Sequence, residues 1–260
     1  MFESEVTFIV TNKSLDIARD IAGISSIRGY ELKPNARLRI TDTYYDTRSG
    51  LLGRKKIGLR TRRSGGQLLL SMKSNPHRMT GMGLRRNEFE TLWSYESLAK
   101  ILKDLGIRGL PAKKPVSSTL TPSRVMSKMG LEIVQERHTT RDVRDILQRK
   151  KSGTRRIAEL DIDRVTFLGK PRVSIFEVEI EAKTAGSVKS VQQIAAELES
   201  SYSGFLRVWL HGKLVTGLAI KRLWTAGKLQ KYLQNGKLKP EAFDMIHRAI
   251  VSGQVKGPTA

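Results

Sequence analysis

The sequence predicts an α+β protein whose sheet turns a charged face inward and an apolar face outward beneath helices. Three observations carry this reading. Seven segments alternate apolar with ionic side chains, the ionic positions are segregated by sign from strand to strand, and three helical segments each show a single apolar stripe. Successive side chains of a strand point to opposite faces, so such alternation gives one apolar and one ionic face.

Along the chain, the first strand sets Glu3 and Glu5 opposite Phe2, Val6 and Phe8. A helix over Lys13 to Ile24 follows, with Leu15, Ile17, Ala18 and Ile21 on one side and Asn12 or Ser14 as its cap. In LLGRKKIGLRTRR, Arg54, Lys56, Arg60 and Arg62 share a parity; in LLLSMKS, Lys73 stands with Leu69 and Ser71; in RRNEFE, Arg86, Glu88 and Glu90 oppose Phe89. A second helix, Tyr95 to Leu105, is capped by Ser94 and stopped by Gly106. Ile107 to Met129, with Pro111, Pro115 and Pro122, reads as a loop or a loop with a short helix. ERHTTR then aligns Arg137, Thr139 and Arg141; AELDID aligns Glu159, Asp161 and Asp163; FEVEIEAK aligns Glu177, Glu179 and Glu181. The third amphipathic helix runs from Val188 to Tyr202. After Leu218 a basic helical tail is expected, Ala219 to Leu233 and then Pro240 to Val251, which divides the chain into a sheet domain of 1–218 and a tail of 219–260.

The alternation has two arrangements. With the ionic face outward, the charges form surface salt bridges worth ~0 to 1 kcal/mol each. With it inward, they line a wet, charged interior and the apolar face needs helical cover. The three striped helices fit the second. Like charges two residues apart on one strand repel unless bridged, so stacked carboxylates invite a divalent cation and stacked guanidinium groups invite phosphate.

Composition sets the limits. The 260 residues carry 47 basic and 25 acidic side chains, a formal charge of +22 that attracts polyanions. With no cysteine and four scattered histidines, any metal sits on carboxylates, which favours Mg²⁺ or Mn²⁺. No stretch of ~20 apolar residues is present, so the expectation is a soluble, cytoplasmic protein with no membrane partner. No phosphate-binding G-x-x-x-x-G-K-[ST] loop, H-E-x-x-H or G-x-S-x-G occurs, and at 6% aromatic residues base stacking is poorly supplied. Trp209, Trp224, His138 and His211 read as packed or surface residues, and Asp46 as a strand-end hydrogen-bonding residue.

Taken in order, these segments resemble the CYTH family of triphosphate tunnel metalloenzymes, which includes inorganic and thiamine triphosphatases, a class of adenylate cyclases and fungal messenger RNA capping triphosphatases. The resemblance rests on E-x-E at Glu3 and Glu5, YYDT at Tyr44 to Thr47, L-R-x-R at Leu59 to Arg62, SMKS around Lys73, R-x-E-x-E from Arg86 to Glu90, Arg137 and Arg141, ELDIDR, EVEIE and the late Lys213. It implies a closed, mostly antiparallel eight-stranded barrel forming an open tunnel. Arg60, Arg62, Lys73, Arg86, Arg137, Arg141 and Lys213 would grip a triphosphate; Glu3, Glu5, Glu179 and Glu181 would hold Mg²⁺ or Mn²⁺. Glu88, Glu90, Glu159, Asp161 and Glu177 would support them, and Glu3, Glu5, Arg60 and Lys73 would carry the catalysis.

One departure is Thr7, which stands where the family's E-x-E-x-K has lysine. The charge that lysine would offer a phosphate is then missing or comes from another residue. The function implied is metal-dependent hydrolysis of tripolyphosphate or a nucleoside triphosphate. The alternatives are adenylate cyclisation, and RNA or polyphosphate binding through the basic surface.

Overall fold

The computed structural model describes residues 2–11, 15–107, 121–151 and 153–255. Its strands are β1 (Phe2–Val10), β2 (Ser26–Ile27), β3 (Tyr30–Thr47), β4 (Gly58–Ser64), β5 (Gln67–Arg78), β6 (Leu84–Leu92), β7 (Leu131–Lys150), β8 (Gly153–Leu168), β9 (Val173–Ala182), β10 (Leu206–Val208), β11 (Leu233–Gln234) and β12 (Lys237–Leu238). Its helices are α1 (Leu15–Gly23), α2 (Leu51–Arg54), α3 (Tyr95–Asp104), α4 (Pro122–Lys128), α5 (Val188–Ser201), α6 (Lys213–Thr225) and α7 (Pro240–Val251).

Eight strands close into a ring in the order β1-β6-β5-β4-β3-β7-β8-β9, with β9 returning to β1 and every neighbour antiparallel. Closure leaves none of these eight as a free edge through the middle of the ring. The registers set residues of one parity side by side: Thr7 opposite Glu179 and that opposite Asp161, Glu5 opposite Glu181, Asp42 opposite both Arg62 and Arg137.

The three amphipathic helices form where periodicity places them. Ser94 caps α3 by accepting from Ser97 N at 3.0 Å, and Gly106 just beyond it has φ +69°. The caps Asn12 and Ser14, and Pro111 and Pro115 of the insert, lie outside the described residues; the insert's C-terminal part is α4. On the outer face, Val6 and Phe8 of β1, Leu160 and Ile162 of β8, and Val178 and Ile180 of β9 pack with Ala18 and Ile21 of α1 and Val191, Ile194 and Leu198 of α5. Leu59 and Leu70 pack with Leu98, Ile101 and Leu102 of α3 and Val125 and Met126 of α4. Each fully buried side chain of this size contributes ~1.5 to 3 kcal/mol, so these layers rather than the charged interior drive folding.

The tail departs from expectation. Helix α6 starts at Lys213 and runs to Thr225, so the boundary placed after Leu218 falls inside a helix and the helix expected from Ala219 to Leu233 begins six residues earlier. Nor does α6 lie outside the sheet. Ile9, Val165, Phe167, Val173 and Ile175 share the inward parity of Glu5, Asp163 and Glu177, and they pack with Val215, Ala219 and Ile220 of α6 and Phe243 and Ile246 of α7. Gln135, buried on β7, donates to Leu214 O at 2.8 Å. At this end the inward face is apolar and must be covered, and α6 covers it. One end of the ring's inward face is thus lined by α6.

Candidate active site

Inside the ring lies a cavity of about 310 Å³. Of the residues singled out from sequence, Glu3, Glu5, Arg60, Arg62, Lys73, Arg86, Glu88, Glu90, Arg137, Arg141, Glu159, Asp161, Glu179, Glu181 and Lys213 all line it. Glu177 does not; it is buried behind Lys213.

The basic side chains are held by carboxylates in three groups. Asp42, 1% exposed, accepts from Arg62 Nε and Nη2 at 2.8 and 3.0 Å and from Arg137 Nε and Nη2 at 3.1 and 2.8 Å, with Arg60 Nη1 at 3.6 Å. Tyr44 stands beside it, its hydroxyl accepting from Arg60 at 3.1 Å and Arg137 at 2.8 Å, with the Arg137 guanidinium 4.9 Å over its ring. Against the effect of burial, Arg60 and Arg137 hold Asp42 well below the usual carboxylate range, and the same two lower the Tyr44 phenol.

In the second group, Lys73 Nζ donates to both oxygens of Glu3 at 2.7 and 2.8 Å, and Arg86 pairs with Glu5. Although burial opposes it, Lys73 and Arg86 draw Glu3 down to about 2. Glu5 goes the other way: burial outweighs the cations Arg86 and Lys73, Glu3 and Glu179 add repulsion, and the carboxyl is pushed up to about 8. In the third group, Arg141 donates to Asp163 at 2.7 and 2.6 Å and to Glu179 at 2.9 Å and also meets Asp161, while Lys213 Nζ lies 2.5 Å from Glu179, 2.9 Å from Glu177 and 3.2 Å from Asp163. Burial, with Asp163 and Glu159 adding to it, raises Asp161 to about 8.

Thr7 and Lys213 meet at the same glutamate. Thr7 is buried opposite Glu179, and the ammonium group beside that glutamate is that of Lys213 in the first turn of α6. Sequence reasoning left out Asp42, Tyr44, Asp163 and Lys183 from the candidate site. The alternation of ELDID already put Asp163 on the right face. Lys183 extends the parity of Glu177 to Glu181 and pairs with Glu181 at 3.0 Å and Glu159 at 3.2 Å. Asp42 has no such local signal, because its partners come from β4 and β7. Asp46 accepts from Leu52 N and Gly53 N at the start of α2, and His211 packs edge-on to Trp209 and within 2.9 Å of His247.

The donor set can be tested for a cation. Nine carboxylates and eight basic groups line the cavity, and burial, with a smaller contribution from neighbouring carboxylates, raises Glu5 and Asp161. Since ammonium and guanidinium groups cannot ligate a cation, the donors on offer are oxygens, mostly carboxylate, which suit a hard divalent ion. As the side chains stand, Lys73, Arg86, Arg141, Lys213 and Lys183 occupy these carboxylates, and no three of them converge on a common point among the described residues. Buried N–H groups of Arg60 (Nε, Nη2), Arg86 (Nε) and Arg137 (Nη1) have no hydrogen-bond acceptor among the described residues.

The sequence matches the CYTH domain across residues 1–205. No curated protein matches it. Among solved structures, a Hippeastrum protein put forward as an adenylyl cyclase and described as having a dominant triphosphatase activity aligns with 87% of this chain and 97% of its own, at 16% identity and a TM-score of 0.50. A Bacillus halodurans protein put forward as an adenylate cyclase aligns with 82% of this chain and 96% of its own, at 17% identity and a TM-score of 0.45. A Pyrococcus horikoshii OT3 protein aligns with 85% and 99%, at 16% identity and 0.46.

Proposed function

This chain belongs to the CYTH domain family, and from that premise we propose that it hydrolyses a triphosphate-bearing substrate, inorganic tripolyphosphate or a nucleoside triphosphate, inside the ring. The observation that carries the reading is the convergence of Arg60, Arg62, Lys73, Arg86, Arg137, Arg141 and Lys213 on one cavity inside the ring. Guanidinium and ammonium groups make charge-assisted hydrogen bonds to phosphate oxygens, so such a cluster suits a chain of phosphates. The triphosphatase activity described for the Hippeastrum protein is in line with it.

The arginines around Asp42 donate bidentately to the phosphate chain, and Tyr44 keeps Arg60 and Arg137 at a fixed separation. Lys73, Arg86, Arg141 and Lys213 take the remaining oxygens, each exchanging a carboxylate partner for phosphate. Glu3, Glu5, Glu179 and Glu181 would hold Mg²⁺ or Mn²⁺, which when bound neutralises charge on the phosphates. With carboxylates outnumbering bases along the lining, a polyanion enters readily only with such compensation. Water attacks the terminal phosphorus, the bridging P–O bond breaks with its electron pair leaving on the departing phosphate, and the water's proton passes to an inward carboxylate.

The test is phosphate release from tripolyphosphate and ATP, with Mg²⁺, Mn²⁺ or chelator. Activity that needs metal and is lost in Glu179→Gln and Arg60→Ala is expected; unchanged turnover in both variants would overturn the proposal. Mass analysis of the products from ATP separates ADP and phosphate from a cyclic nucleotide.

A further inference from the structure

The cavity absorbs none of the chain's positive excess. Of 47 basic and 25 acidic residues, eight and nine line it, leaving 39 and 16 elsewhere. Part of that surplus forms an ordered array on the outward face of the sheet. Arg63 of β4, Thr41 of β3, His138 of β7 and Thr166 of β8 are successive register partners across four strands. The adjacent row is Arg39 of β3, Thr140 of β7 and Arg164 of β8. All have the parity opposite to Asp42, Arg137 and Asp163, and Arg39, Arg63, His138 and Arg164 are exposed.

Arg39, Arg63 and Arg164 have no ion pair or hydrogen-bond partner among the described residues. The acids of the flanking rows are engaged: Asp142 with Arg37 at 3.4 Å and Glu136 with Thr43 at 3.4 Å. Neighbouring strands lie about 4.8 Å apart, so Arg39 and Arg164 stand roughly 10 Å apart on a floor of short hydroxyls, with Arg63 on the diagonal about 7 to 8 Å from Arg39.

We propose that this sheet face binds the sugar-phosphate backbone of a nucleic-acid duplex without reading sequence. Arginine with serine and threonine hydroxyls is the side-chain set that contacts phosphate oxygens. The two rows contain no asparagine or glutamine to read base edges, and their rings are a lone exposed His138 and, beside Arg164 on β9, Phe176, which is half-buried against the outer core and so is no platform for successive bases of a single strand. Binding here is separate from chemistry in the cavity, since the three arginines point away from it.

The experiment measures anisotropy of a labelled 20-base-pair duplex of mixed sequence with the full chain from 50 to 200 mM salt. Each arginine that neutralises a phosphate adds about 0.9 to the slope of log K against log salt, so Arg39→Gln/Arg63→Gln/Arg164→Gln should lower the slope by up to about 2.7. A charge-matched control, Lys100→Gln/Lys103→Gln/Lys128→Gln on α3 and α4, should leave it near the wild-type value. Phosphate release should be unaffected by the arginine triple variant, and saturating tripolyphosphate should not displace the duplex. An equal loss of slope in both triple variants, displacement by tripolyphosphate, tighter binding of a single strand of the same length, or capture by phosphatidylserine vesicles without duplex binding would each overturn the proposal. Failure of the hydrolysis proposal alone would show as absent phosphate release with the duplex slopes as expected.

Discussion

Replacing Asp42 with asparagine removes the one carboxylate shared by Arg60, Arg62 and Arg137. The substitution keeps one oxygen for Arg62 but turns an amide donor toward Arg137, whose Nε and Nη2 both donate to Oδ2 in the native arrangement. Asp42 is 1% exposed and Arg137 2%, so water cannot screen the loss. Breaking a buried pair by removing one partner costs ~3 to 5 kcal/mol, and the low end applies because half the acceptor survives. At roughly 2 to 4 °C per kcal/mol for a chain of this size, the melting temperature should fall by about 6 to 12 °C. Asp142→Asn, which touches the exposed Arg37 pair, should cost ~0 to 1 kcal/mol and serves as the control. Tripolyphosphate should raise the melting temperature of D42N more than that of the wild type, because it supplies the anion the cage has lost. Scanning calorimetry of both variants with and without tripolyphosphate decides the matter. A D42N shift no larger than that of D142N would refute the central role given to this carboxylate.

Other outcomes follow from the same geometry. Glu5 and Asp161 bind protons more tightly folded, at about 8, than at their ordinary 4.5 and 3.8, so the folded state loses stability as pH rises from about 4 to 8. Glu3, drawn down to about 2, contributes stability above 4.5 that is lost as pH falls toward 2. In chelator the melting temperature should therefore peak near pH 4.5 to 5, Glu5→Gln should flatten its alkaline limb, and Mg²⁺ should stabilise more at pH 8 than at pH 5; a steady rise of stability to pH 8 would contradict this. Gly217→Ala should destabilise by ~1 to 3 kcal/mol in urea titration despite the ~1 kcal/mol gain in helix propensity, since the new Cβ would lie 2.3 Å from Gln135 Nε2 and 2.6 Å from the Phe167 ring. By unseating α6 it should also lower kcat/KM through Lys213; a neutral or stabilised variant would show that α6 does not press on the inward face.

The alternating segments determined by themselves which side chains share a face, because a strand's period of two is a local property. From it came the inward parity of Glu3, Glu5, Arg60, Arg137 and Glu179, and the striped helices α1, α3 and α5 came from the equally local period of 3.6. What only the tertiary structure decided is which rows meet. Asp42 reads as one acid in a Thr- and Tyr-rich strand until β4 and β7 bring Arg62 and Arg137 beside it. Lys213 reads as the edge of a tail until α6 packs into the apolar end of the ring and carries its ammonium group to Glu179. Both depend on register and closure between segments far apart in sequence. Those are fixed by the sum of packing across the whole ring, which no single window of residues contains.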